Sequence, residues 1–189
     1  EAPTGPRYAV AYSGYRAGQQ LDSGDGARNP TAEQILEDLR ILTRDLNFGL
    51  IRLYDSRENS RTVLRLIREH DLKLNVMLGI WLDAEVSNHR NCPWLDEPIP
   101  KDVLAKNRES NREEVQRGIE LATEYADIVI AVNVGNEALV SWSDHKVKVG
   151  RVISYVREVK DAIPQRVTVA ENFAWWAEKG AALARELDF

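Results

Sequence analysis

Residues 132–138 read VNVGNEA, a valine-rich run that ends in Gly-Asn-Glu. A carboxylate at the tip of an apolar strand costs desolvation free energy unless it meets partners or water. Glu137 is therefore either an ordinary capping or ion-paired residue or a group held for chemistry. The same pattern recurs along the chain. Tyr12, Ser13 and Tyr15 follow a first short apolar run, Tyr54 and Asp55 a second, and Glu171 and Asn172 another, while Trp81 closes the run between them. Carboxyls, an amide, phenols and a flat indole on one rim match the needs of a sugar, whose hydroxyls take hydrogen bonds and whose C–H face packs on an aromatic ring. Cleaving a glycosidic bond requires two positioned carboxyl groups and no metal or phosphate; no cofactor is expected.

Each feature also has a plainer reading. Asp55 can cap a helix starting near Ser60 or pair with Arg52, Tyr54 can be a core phenol, and Glu171 can sit in the first turn of a helix capped by Asn172. Trp175 and Trp176 are expected to split, one joining Leu183 and Leu187 in the core and one lying nearer the rim. Other chemistries lack their residues. His89 and Cys92 form a solitary H-x-x-C without a second pair, so no zinc site is expected. The SGDG stretch has neither P-loop nor dinucleotide spacing and reads as a turn. No G-x-S-x-G elbow is present.

These groups must be carried by alternating elements. Strands are expected near 7–12, 48–54, 73–80, 127–134 and 166–170, with helices between them, a βα pattern that predicts an α/β fold with a parallel sheet. Strands such as IVIAVNV are almost continuously apolar, which suits burial on both faces. Thr31 and Gln34 form a capping box for a helix with Ile35, Leu39, Leu42 and Leu46 as its stripe; Ser110 and Glu113 form another before Val115, Ile119, Ala122 and Ala126. Further helices are expected near 59–70, 143–162 and 173–187. Two long connections, residues 13–30 and about 81–106, follow strands, where α/β folds build ligand sites.

Composition narrows the partners. With 43% hydrophobic and 29% charged residues, the 189-residue chain reads as one globular domain, 1–189, without linker or repeat. A net charge of −5 supplies no basic footprint, so neither nucleic acid nor an anionic membrane is expected to bind. No stretch nears the roughly 20 apolar residues of a membrane span, and the first ten residues lack a signal-peptide layout. The single cysteine permits no intrachain disulfide.

The segments AYSGYRAGQ, DLRILTRDLNFGLIRLYD, LNVMLGIWL, VNVGNEAL and RVTVAENFAWW, in this order, resemble family 17 of the glycoside hydrolases, in its bacterial β-1,3-glucanase and glucosyltransferase branch. The resemblance implies a (β/α)8 TIM barrel of which about the first five βα units are present, acting on β-1,3-linked glucan with retention. It makes Glu137 the general acid/base and Asn136 the residue that holds the sugar 2-hydroxyl. Tyr54 is placed near the nucleophile, and Tyr12, Trp81, Asn88, Glu171 and Trp175 at substrate subsites. The nucleophile is implied on the seventh strand, C-terminal to residue 189, so Glu171 is not given that role. An open five-strand sheet leads to the expectation of a longer protein or of a second chain that completes the barrel. Hydrolysis, transglycosylation and non-catalytic glucan binding are all compatible with these residues, and an extracellular or periplasmic location is favoured.

Overall fold

The computed structural model describes residues 8–19 and 28–189. Five parallel strands form one sheet: β1 (Tyr8–Ala11), β2 (Phe48–Arg52), β3 (Asn75–Ile80), β4 (Val129–Asn136) and β5 (Arg166–Ala170). They lie in the order β1-β2-β3-β4-β5, so each strand pairs with its neighbour in sequence. Helices α1 (Ala32–Arg40), α2 (Glu58–Glu69), α3 (Lys101–Glu124) and α4 (Val149–Ala162) alternate with the strands, and α5 (Phe173–Lys179) and α6 (Ala181–Ala184) follow the last. These are five consecutive units of a (β/α)8-type barrel, as expected. The SGDG stretch lies outside the described residues.

The β-branched runs are strands because their side chains fill the layer between sheet and helices. Val76, Leu78 and Ile80 of β3 and Val132 and Val134 of β4 are wholly buried, facing or flanked by Val115, Leu121 and Ala122 of α3. Helix α3 lies close on β3 at Gly118, where a Cβ would fall 2.6 Å from Ile80. Burial on both faces does not extend to β1, where Tyr8, Ala9 and Ala11 are exposed. Among the described residues it pairs with β2 alone and so gains cover from one side. On the far side, Asp188 donates its backbone N–H to the carbonyl of Val167 at 3.0 Å and lies along β5.

Three of the helices differ from expectation. The Thr31–Gln34 capping box is formed, but the α-helix ends at Arg40 and widens into a π-turn over Ile41–Asp45, closed by Leu46 N–H on the Ile41 carbonyl at 3.0 Å. The added residue turns Leu46 off the buried stripe, and it is 53% exposed. The Ser110–Glu113 pair does not start a helix. Helix α3 begins at Lys101 after Pro100, a residue that has no N–H to leave unpaired, and both Ser110 and Glu113 lie exposed mid-helix. The last helix is two short ones, because Gly180 lets the ring of Trp176 close over the backbone; a Cβ there would sit 2.4 Å from that ring.

Candidate active site

At the carboxyl ends of β1–β3 a cleft of about 650 Å³ opens between Tyr12, Tyr15, Tyr54, Asp55, Trp81 and His145. Its floor at Tyr54 is set by a close approach of strands: a Cβ on Gly79 would lie 2.2 Å from the Tyr54 carbonyl carbon. The turn after Tyr54 is held from below by Glu114 of α3, which is 1% exposed. Its Oε1 accepts from Ser56 N–H at 2.7 Å, and its carbonyl accepts from Ser56 Oγ–H at 3.0 Å. Asp55 accepts from Arg57 N–H at 3.1 Å and Ser60 Oγ–H at 2.9 Å, so it braces the turn that leads into α2 while facing the cleft. Tyr12 donates its hydroxyl to Asp38 of α1 at 3.0 Å. Burial and the Asp38 carboxylate push its phenol above the ordinary range, so Tyr12 offers the cleft a neutral ring.

The tip of β4 departs from regular strand geometry. Gly135 (φ 84°) and Glu137 (φ 50°) both occupy left-handed backbone, and only the glycine does so without steric cost. Asn133 steadies the bend by donating its side-chain N–H to the Gly135 carbonyl at 2.7 Å. Asn136 Oδ1 accepts from Arg52 Nη2 at 2.5 Å, and the Arg52 guanidinium lies 4.9 Å from the centre of the Tyr54 ring. Burial lowers the pKa of Arg52, while Tyr54 and Glu137 act in the opposite direction. The Glu137 N–H donates to the Ala170 carbonyl at 2.8 Å. Thus Asn136 is linked to the cleft wall through Arg52, which packs on the Tyr54 ring, and through His145.

Glu171, at the end of β5, accepts from Leu139 N–H at 2.7 Å through Oε1, whereas its buried Oε2 has no partner. Burial, with the charge of Glu137, raises its pKa to about 7. Because the folded-state value exceeds the unfolded one, the stability this carboxyl contributes is full below its ordinary value of 4.5 and is lost as pH rises through about 7. Glu171→Gln is therefore expected to flatten that slope: melting temperature near that of the parent at pH ~5, and higher at pH ~8, by thermal denaturation followed by circular dichroism.

Of the expected site residues, Tyr12, Tyr54 and Trp81 line the cleft, whereas Asn136, Glu137, Glu171, Asn88 and Trp175 do not. Asn88 is buried and donates both side-chain N–H groups to backbone carbonyls, of Ser141 at 2.7 Å and Ser143 at 2.8 Å. It fastens the connection after β4. Asn88→Ala strands both carbonyls, and an expected loss of about 1–3 kcal/mol is measurable by urea unfolding. Trp175 stacks edge to face on Trp176 at 5.3 Å and lines a separate hollow with Lys146 and Lys179. Its sequence signal was aromatic composition next to a strand end, which does not report the direction a helix faces.

Three groups at the site carried no sequence signal as such. Arg52, His145 and Glu114 reach it from a strand interior, a loop and a helix, and what each meets is set by packing between distant segments. His145 Nε2 lies 2.8 Å from the Asn136 carbonyl and Nδ1 2.6 Å from Asp144 Oδ1, and the imidazole ring rests 4.6 Å from Trp81. Asp144 also accepts from Trp94 Nε1–H at 3.1 Å. Its loop is locked to the β3–α3 connection, since the N–H groups of Glu85 and Val86 both donate to the Lys146 carbonyl at 3.0 Å. Among the described residues no cluster of His, Cys, Asp and Glu has the arrangement of a metal site, and no helix is long and apolar enough to cross a membrane.

The fold is that of a partial (β/α) barrel, and the chain resembles family 17 of the glycoside hydrolases. The similar solved structures are particular ones. An endo-laminarinase from Formosa Hel1_33_131 is 25% identical with a TM-score of 0.74, the match covering 97% of this chain and 48% of that one. A glycoside hydrolase family 17 β-1,3-glucanosyltransferase from Rhizomucor miehei is 16% identical with a TM-score of 0.63, and its active-site mutant with laminaritriose has a TM-score of 0.64. Both matches cover 97% of this chain and 55% of theirs, so the chain spans about half the length of the structures it matches. No family profile matches the sequence, and no curated protein does.

Proposed function

We propose that residues 1–189 form the acid/base-bearing part of a retaining glycoside hydrolase that acts on β-1,3-linked glucan. The observation that supports this reading is the cleft walled by Tyr12, Tyr54 and Trp81, to which the bent tip of β4 is tied by the hydrogen bond between His145 and the Asn136 carbonyl. In this reading Glu137 protonates the leaving glycosidic oxygen and later takes a proton from the incoming water. Asn136, its amide oriented by Arg52, holds the sugar 2-hydroxyl. Tyr54, Tyr12 and Trp81 line the glucose subsites, and Glu171, at the end of β5, is a further subsite residue in this reading.

A retaining mechanism needs a second carboxylate about 5–5.5 Å from the first. Glu171 is poorly suited to that role. One oxygen is engaged by Leu139 N–H, and a carboxyl raised to about 7 spends much of neutral pH protonated, which suits a hydrogen-bond donor better than a nucleophile. The nucleophile is assigned to polypeptide C-terminal to residue 189 or to a second chain. Transfer to an acceptor sugar in place of water uses the same residues.

The test is to titrate the chain with laminari-oligosaccharides and with cello-oligosaccharides, reading tryptophan fluorescence for binding and mass spectrometry for products. Binding of the β-1,3-linked series alone supports the reading. Equal binding of both series, or of neither, refutes it.

A further inference from the structure

We propose that His145 is the positioning residue of the β4 tip, holding the peptide bond between Asn136 and Glu137 in the single orientation that aims the Glu137 side chain. The inference builds on the acid/base role given to Glu137, but it concerns a local geometry that can be read without turnover.

The peptide bond in question is gripped at both ends. Its N–H, that of Glu137, donates to the Ala170 carbonyl on β5 at 2.8 Å. Its carbonyl, that of Asn136, lies 2.8 Å from His145 Nε2. A carbonyl oxygen can only accept, so Nε2 carries the proton and donates it. Glu137, on the C-terminal side of this peptide, is left-handed, as is Gly135 just before Asn136. For a residue with a side chain that backbone costs about 1–2 kcal/mol, and it persists only where surrounding contacts oppose relaxation. Rotation of this peptide is the natural route of relaxation. It would break both hydrogen bonds and redirect the Glu137 side chain.

The imidazole is itself held on three sides. Asp144 Oδ1 lies 2.6 Å from Nδ1, and Trp94 donates to the other oxygen of the same carboxylate. The Trp81 ring lies against the imidazole face, and the Trp81 indole N–H is fixed on Asp83 at 3.1 Å. Burial opposes ionisation of Asp144, but the hydrogen bonds from His145 and Trp94 outweigh it and keep the carboxyl below its ordinary range. Both tryptophans come from the β3–α3 connection, so that long loop sets the angle of the acid/base carboxyl through one histidine.

The experiment uses the isotopically labelled chain and follows the backbone amide of Glu137 by nuclear magnetic resonance, as chemical shift and as hydrogen-exchange rate. His145→Phe keeps a ring against Trp81 and removes the donor. His145→Gln loses the ring but can place an N–H where Nε2 stood. The expected result is exchange of the Glu137 amide about tenfold faster in the Phe variant, the size of one net hydrogen bond, with substantial restoration in the Gln variant. Should the Phe variant fail to fold, Asp144→Ala frees the imidazole to turn and is expected to accelerate the same amide. An unchanged Glu137 amide in His145→Phe or in Asp144→Ala, or equal change in the Phe and Gln variants, overturns the proposal. In a form of the protein that turns over glucan, the Phe variant should lower kcat with little change in KM, and the Gln variant should recover it. If no form turns over glucan while the amide responds as expected, the acid/base reading fails and the positioning role stands.

Discussion

Glu137→Gln is expected to lower turnover of a β-1,3-glucan oligosaccharide by between about 10² and 10⁴-fold, the usual contribution of a general acid/base, with oligosaccharide affinity little changed. The isosteric amide keeps the side-chain volume and leaves the backbone bond to Ala170 intact. Gln tolerates the left-handed φ of 50° no worse than Glu does. Stability should therefore stay within about 0.5 kcal/mol of the parent, and a loss of rate cannot be charged to unfolding. Product formation by mass spectrometry in a form that turns over glucan, with a melting curve as control, reads both quantities. Retained turnover would move the acid/base role off β4 altogether.

Gly79→Ala should destabilise the fold by about 3 kcal/mol or more. The added Cβ would meet three backbone atoms: the Tyr54 carbonyl carbon at 2.2 Å and the oxygens of Leu53 and Tyr54 at 2.5 Å. Backbone cannot step aside as a side-chain end can, so β2 must separate from β3 just where Leu53 N–H donates to the Met77 carbonyl at 2.9 Å. Tyr54 would be carried out of the cleft wall, and glucan affinity should fall together with stability. Gly150→Ala is the matching control, since nothing lies within 4 Å of its Cβ position and the change is expected to be neutral or slightly stabilising. Urea unfolding of the two variants separates a steric cause from any general intolerance of lost glycine.

The five strands were legible in the sequence because runs such as IVIAVNV leave few alternatives once helical stripes flank them. The β4 tip was legible for a related reason, since an Asn-Glu pair ending an apolar run is costly to explain without partners. Capping signatures proved less decisive. Thr31–Gln34 does start a helix, but Ser110–Glu113 has the same letters in the exposed middle of a longer one, because hydroxyl and carboxyl residues at i and i+3 are also ordinary surface neighbours. Asn88 and Trp175 illustrate the limit for site residues. Whether an amide faces a ligand or fastens two carbonyls of a loop 53 and 55 residues away is decided by tertiary contact. The Arg52–Asn136 bond, spanning 84 residues, is invisible to any local pattern.

The consecutive order of the strands bears on how the chain comes to be folded during synthesis. Each of β2 to β5 finds a sheet partner in the strand that left the ribosome just before it. Loop-closure costs are therefore met one βα unit at a time, and the sheet can grow from its N-terminal edge as polypeptide emerges. Glu137, lying on the fourth strand but bonded to the Ala170 carbonyl of the fifth, acquires its final backbone geometry only when β5 docks. A nascent chain arrested before residue 166 should already hold the Tyr54 and Trp81 side of the cleft, with the Glu137 backbone still unset.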